Sequence, residues 1–130
     1  MAVKRHINIF NTAKTLTGSY VAGDNDIDAR DADDLYLLLA YTKNTDDGVL
    51  VKVEAVDSAD LFVEMQADPD FAGGVVNIAP VAYKVATTGK YMLPLALIGH
   101  ILRFSIKTVT PGGTPGTVDR LVAVAVETAT

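Results

Sequence analysis

The sequence predicts an all-β fold, a single antiparallel β-sandwich of about eight strands with Ig-like or jelly-roll-like topology. Three observations carry this. Segments 34–43, 49–56, 75–86, 101–109 and 121–127 are rich in Val, Ile, Leu, Tyr and Phe, residues that suit a pleated, half-buried surface. Turn residues punctuate them: Asn44-Thr45-Asp46-Asp47-Gly48, Thr87-Thr88-Gly89 and Pro111-Gly112-Gly113-Thr114-Pro115-Gly116. No internal repeat, heptad or linker interrupts the pattern, so residues 1–130 read as one domain.

Residues 3–10 alternate, with Val3, Arg5, Ile7 and Ile9 on one face and Lys4, His6, Asn8 and Phe10 on the other, which predicts a strand or an N-terminal arm over 1–10. Residues 16–21 carry enough apolar character for a weak strand, and 23–34 form a loop dense in Asp. Leu35, Leu37, Leu39 and Tyr41 share one strand face, and Tyr36, Leu38 and Ala40 the other. Both are apolar, which predicts a central strand covered on both sides. In its expected hairpin partner, Lys52 and Glu54 oppose Val51, Val53 and Ala55, a half-exposed pattern, and Asp47-Gly48 is a turn signal between the two. Residues 61–65 predict a short strand ended by Asp68-Pro69-Asp70, and Gly73-Gly74 opens the next run. Pro80 and Pro94 mark an edge, a bulge or a strand start. Two further strands, 91–98 and 100–109, are joined at Gly99; in the second, Leu102, Phe104 and Ile106 point inward. The last strand, 121–126, is apolar on both faces and therefore central or covered by a neighbouring subunit.

The chain has 130 residues, 49% of them apolar, enough to bury roughly two thirds of its unfolded surface. A mean hydropathy of +0.25 leaves room for an apolar surface facing a partner. The net charge of −5 disfavours nucleic acid, whose phosphates call for clustered Lys and Arg. With no cysteine, disulfides and thiolate zinc sites are excluded, and a chain this small must rely on its core or on oligomerisation. No apolar run reaches the ~20 residues of a membrane span, and Met1–His6 lacks the apolar stretch of a signal peptide. Synthesis in a cytoplasm follows.

Candidates for chemistry are few. Asp24, Asp26 and Asp28 alternate like calcium ligands, but Ala29 stands where an EF-hand needs Gly and Leu35 where it needs a bidentate Glu. The reading is no metal, with those three residues as the alternative. His6 and His100 have no partners nearby in sequence, and Ser19, Ser58 and Ser105 lack a nucleophile-elbow context. The glycine-rich 112–116 segment lacks the Lys and helix of a phosphate loop. No catalytic residues and no cofactor are assigned, and the chain reads as non-enzymatic.

The segments Gly89-Lys90-Tyr91-Met92-Leu93-Pro94-Leu95 and Gly99-His100-Ile101-Leu102-Arg103-Phe104-Ser105-Ile106-Lys107-Thr108, with the strand–turn–strand of 35–56 before them, resemble small β-sandwich structural proteins of tailed-bacteriophage virions. The likeness spans residues 34–126 in order and rests on turn and core positions, so it transfers no functional residue. It implies a virion component: a capsid decoration protein on the outer surface of the head, or a neck or tail accessory protein. Implied partners are the major capsid protein or other virion proteins, with self-association into a homo-oligomer such as a trimer, and no membrane. A carbohydrate- or calcium-dependent binding module is the reading from another class. Expected partner contacts are Val3, Arg5 and Ile7 in the N-terminal segment and Pro111, Gly113 and Pro115 in the loop.

Overall fold

A computed structural model describes residues 2–56, 63–66, 82–95, 101–109 and 112–128. The expectations for Leu61, Asp68-Pro69-Asp70, Gly73-Gly74, Pro80, Gly99, His100 and Pro111 lie outside these residues. Within them the chain is all β: β1 (Ala2–Asn8), β2 (Lys14–Thr15), β3 (Val21–Ala22), β4 (Ile27–Asp28), β5 (Asp34–Thr42), β6 (Val49–Val56), β7 (Val63–Gln66), β8 (Ala82–Val85), β9 (Gly89–Pro94), β10 (Ile101–Thr108) and β11 (Thr117–Thr128). Among the described residues no helix is long and apolar enough to cross a membrane.

The strands form two antiparallel sheets. One runs β1-β11-β5-β9 with β2 also on β11; the other runs β3-β10-β6-β7 with β4 also on β10 and β8 on β6. β1 and β2 follow one another along the same side of β11, because β5 holds the other side. The same holds for β3 and β4 along β10, and for β7 and β8 along β6. The segments therefore act as two layers of four. β5 to β6, β8 to β9, β9 to β10 and β10 to β11 all change sheet, which is the double-sheet jelly roll rather than a series of hairpins.

This corrects the expected hairpin of β5 with β6. Residues 43–48 carry the chain from one sheet to the other, and turn composition alone specifies a reversal without fixing its plane. The crossing is pinned by buried polar groups. Tyr41 Oη donates to Asp46 Oδ2 at 2.6 Å, and the Asn44 amide donates to Asp46 Oδ1 at 2.8 Å. Gly48 has φ +129°, and a Cβ there would stand 2.4 Å from the Val85 carbonyl oxygen, so only glycine lets β6 start against β8. The other two turn clusters meet this one. The Lys43 amide donates to Thr88 Oγ1 at 2.9 Å, and the Thr114 amide to Thr45 Oγ1 at 2.6 Å. All three are sheet-to-sheet crossings at one end of the sandwich.

The core lies between the layers. Leu35, Leu37, Leu39 and Tyr41 of β5 and Leu121, Ala123 and Ala125 of β11 face Val49, Val51 and Val53 of β6 and Leu102, Phe104 and Ile106 of β10. Each large side chain buried there contributes about 1.5–3 kcal/mol of hydrophobic free energy. The inward set of β10 and the half-exposed β6 match the alternation in the sequence. β11 is central, between β1 and β5, as its two apolar faces require, and Val122 and Val124 are buried on its outer side. β5 is central too, but its second face is only partly buried: Tyr36 and Ala40 are half-buried and Leu38 is 36% exposed. In β1 the inward face is Arg5 and Ile7; β1 is a fully paired strand rather than a free arm, matched to β11 from Ala2↔Thr128 to Asn8↔Val122. Pro94 ends β9, an edge strand, where its missing N–H costs no ladder bond.

Candidate interaction surface

The two outer faces of the sandwich differ in chemistry. On the β10/β6 sheet, outward positions carry Lys52, Glu54, Arg103, Ser105 and Lys107. Glu54 bridges Lys52 and Arg103, both at 3.2 Å. The Tyr20 ring lies 4.3 Å from Lys52 Nζ and 5.1 Å from Lys107 Nζ, within cation–π range. Along β6 and β10 this face is mostly polar, and Lys52, Glu54, Arg103 and Lys107 are engaged with one another or with Tyr20.

On the β1-β11-β5-β9 sheet, the outward residues in register are Lys4, His6 and Asn8; Val122, Val124 and Val126; Asp34, Tyr36, Leu38 and Ala40; and Lys90, Met92 and Pro94. Met92 is 68% exposed and stands opposite Leu38 across the β5–β9 pair. An open groove of about 530 Å³ crosses this face, with Leu38, Ala40, Met92 and Val122 along its floor and His6, Lys90 and Arg120 at its rim. Among the described residues neither Lys90 nor Arg120 has an ion-pair partner. An apolar strip exposed at Leu38 and Met92, beside two cations that have no ion-pair partner among the described residues, on a chain of net charge −5, is the feature of this surface that points to a partner.

The sequence did not single out this face. Its signal was present in the double apolar pattern of 35–41, but that pattern reads equally as a strand buried on both sides. The residues expected to bind partners are placed elsewhere. Val3 is exposed, whereas Arg5 holds Glu127 at 2.7 Å and donates to the Asp28 carbonyl, and Ile7 packs against the core. Gly113 lies against Thr45, and Pro115 is half-buried beside it in the loop. Val3 pairs with Glu127 near the end of β11 and the loop enters β11 at Thr117, so the two groups are about 30 Å apart along one strand and do not form one patch.

Asp24 and Asp28 are engaged with protein groups. Asp24 Oδ2 accepts from the Asn11 amide at 2.9 Å. Asp28 pairs with Arg30 at 2.6 Å, and the hydrogen bonds from the Arg30 side chain and amide bring its pKa down to about 2. Asp26 is exposed next to buried Ile27. Among the described residues no three His, Asp or Glu side chains are grouped to hold a metal ion. His6 lines the groove, and among the described lining residues none is a carboxylate.

The buried carboxylate among the described residues is Asp46, 2% exposed. Burial alone would raise its pKa. Hydrogen bonds from Tyr41 and from the amides of Asn44, Asp46 and Gly116 together outweigh that and hold the pKa below the ordinary carboxylate range. The same burial, with the bond to Asp46, pushes the Tyr41 hydroxyl well above its usual value. The pair sits inside a crossing between sheets, buried on both sides, so its work is structural.

No family model matches the sequence, and the search of curated proteins found no relative. Among solved structures, the fold is similar to a chain from the disulfide-linked pili of Bacillus endospore appendages, at 14% identity over 99% of this chain and 89% of that one, with a TM-score of 0.49. It is also similar to a chain in the structure of infectious bursal disease virus, Gx strain, at 10% identity over 99% of this chain, with a TM-score of 0.50. This chain spans 37% of the length of the viral one. The viral likeness agrees with the two-sheet β-sandwich described above.

Proposed function

We propose that this chain is a non-enzymatic structural component of a virion, a decoration protein that binds the outside of an assembled phage head and braces it. The observation that carries the reading is the combination of a closed, apolar double-sheet core with polar groups engaged in structural roles. Asp24, Asp28, Asp46 and Glu54 hold backbone, arginine, tyrosine or lysine partners rather than converging on a substrate-sized site. The jelly roll is a fold that recurs in viral capsids, which supports the reading by analogy of fold. The tailed-phage resemblance of 34–126 points the same way. Binding only to the assembled shell would stabilise the shell by mass action.

On this reading the exposed loop of Gly112, Gly113 and Thr114, at the end where three crossings meet, is the contact with the major capsid protein. The chain acts as a single domain, made in the host cytoplasm and carried on the particle. The test is quantitative mass spectrometry of purified particles from cells expressing the phage genome that encodes it. Copies in the hundreds per particle are expected. A count of about six or twelve, as in ring-symmetric neck and tail assemblies, would replace the head role with a neck or tail accessory role. Absence from the particle would overturn both.

A further inference from the structure

We propose that the outer face of the β1-β11-β5-β9 sheet is a self-complementary dimer surface, and that its occupant is the same face of a second copy. The inference stands apart from the virion reading and can fail without it. The argument is the order of chemistry along β5. Asp34, Tyr36, Leu38 and Ala40 point outward in sequence. At the level of Ala40 stand Lys90 of β9 and Arg120 of β11; at the level of Leu38 stand Met92 and Val122; at the level of Tyr36 stand Pro94 and Val124. The face is thus acidic at one end of β5, apolar in the middle and basic at the other end. Lys4 lies across Val126 from Asp34 and is the cation nearest the acidic end.

A two-fold axis in the plane between two such sheets, crossing the strands at the level of Leu37, inverts this order. Asp34 of one copy then lies between Lys90 and Arg120 of the other. Tyr36 lies over Leu38, and Pro94 over Met92. The half-buried Tyr36 ring enters the open groove lined by Leu38, Met92 and Val122. The contact is isologous, so each charged pairing occurs twice. On the opposite sheet Lys52, Glu54 and Arg103 are already paired with one another, and Lys52 and Lys107 lie against the Tyr20 ring. An acidic partner of another kind would satisfy the basic rim but would leave Asp34 facing the same surface without a cation.

The face is four strands wide and about seven residues long, roughly 19 Å by 23 Å, so each copy contributes less than the ~800 Å² of a standard interface. The dimer is therefore weak, assembling at about 10–100 µM.

The experiment is sedimentation equilibrium of the full chain from about 5 to 500 µM at low and high salt. A monomer–dimer equilibrium that salt weakens is expected. Met92→Glu should weaken dimerisation at least about tenfold with an unchanged thermal melt, since Met92 is exposed. Lys90→Glu with Arg120→Glu should weaken it about tenfold, as should Asp34→Lys, and the chain carrying all three changes should return to within about threefold of the original. Circular dichroism melts of each variant keep misfolding apart from lost contact. A chain that stays monomeric throughout, a Met92→Glu variant that dimerises normally, or a triple variant that remains as weak as the single-end ones would each overturn the proposal. The first outcome would leave the groove to an acidic partner.

Discussion

Replacing Asp46 with Ala removes the group that holds the crossing between β5 and β6. Four donors aim at that carboxylate: the Tyr41 hydroxyl at 2.6 Å, the Asn44 amide at 2.8 Å, and the amides of Asp46 and Gly116. Both side chains of the pair are buried, at 1% and 2% exposure. A hydrogen bond to a charged group contributes about 1.5–3 kcal/mol, and each buried donor left without a partner costs about 1–3 kcal/mol. Some donors will recover a water once the side chain is gone, so the net loss should be about 3–5 kcal/mol. Against a total stability of about 5–15 kcal/mol this is a large fraction, and it should lower Tm by about 10–15 °C in a chain of this size. Tyr41→Phe removes only one bond and should cost about half as much. The double variant should cost less than the sum of the two, because the singles delete a shared contact. The assay is urea and thermal denaturation followed by circular dichroism. The sign of the pH effect is fixed as well. The folded pKa of Asp46 lies below its unfolded value, so its contribution is present above the unfolded carboxylate pKa and is lost as pH falls through the folded one. Asp46→Asn should therefore flatten the acid limb of the stability–pH curve below about pH 4. A loss under about 1 kcal/mol for Asp46→Ala, or an acid limb unchanged in Asp46→Asn, would refute the claim that this carboxylate pins the crossing.

Other variants probe the same architecture. Gly48→Ala places a Cβ 2.4 Å from the Val85 carbonyl oxygen at φ +129°, and should cost at least about 2 kcal/mol by urea melt; a neutral result would contradict the tight seating of β6 on β8. In an NMR titration Asp28 should titrate near its pKa of about 2 and rise toward the ordinary range in Arg30→Ala, with little change in Tm because both side chains are about half exposed. Deleting residues 2–6 removes five of the seven β1 pairs and bares the edge of apolar β11, so the truncated chain should melt lower and aggregate, as read by light scattering. A truncated chain with the original Tm would mean that β1 adds nothing to the sheet.

The sequence by itself determined the class of fold, because strand formation answers to local pattern. Alternation set the inward faces of β6 and β10, and the continuous apolar run of 121–126 marked β11 as central, whatever its neighbours were to be. It also determined that no disulfide could contribute. What it left open was which strands share a sheet. The turn at 44–48 looked like a hairpin because Asp47-Gly48 reverses a chain equally well within a sheet or between two. Only the tertiary structure decided it, since the Asp46 carboxylate finds Tyr41 and Gly116 only when β5 and β6 lie in opposite layers. In the Asp-rich loop, read as no metal with Asp24, Asp26 and Asp28 as the alternative, the pattern did not show that Asp28 would pair with Arg30 or that Asp24 would accept from the Asn11 amide. The interaction face was hidden for a related reason. Leu38, Met92, Lys90, Arg120 and Asp34 lie far apart in sequence, and no local pattern tells a second buried face from one left partly exposed, as Leu38 and Met92 are; that depends on what the rest of the fold packs against it.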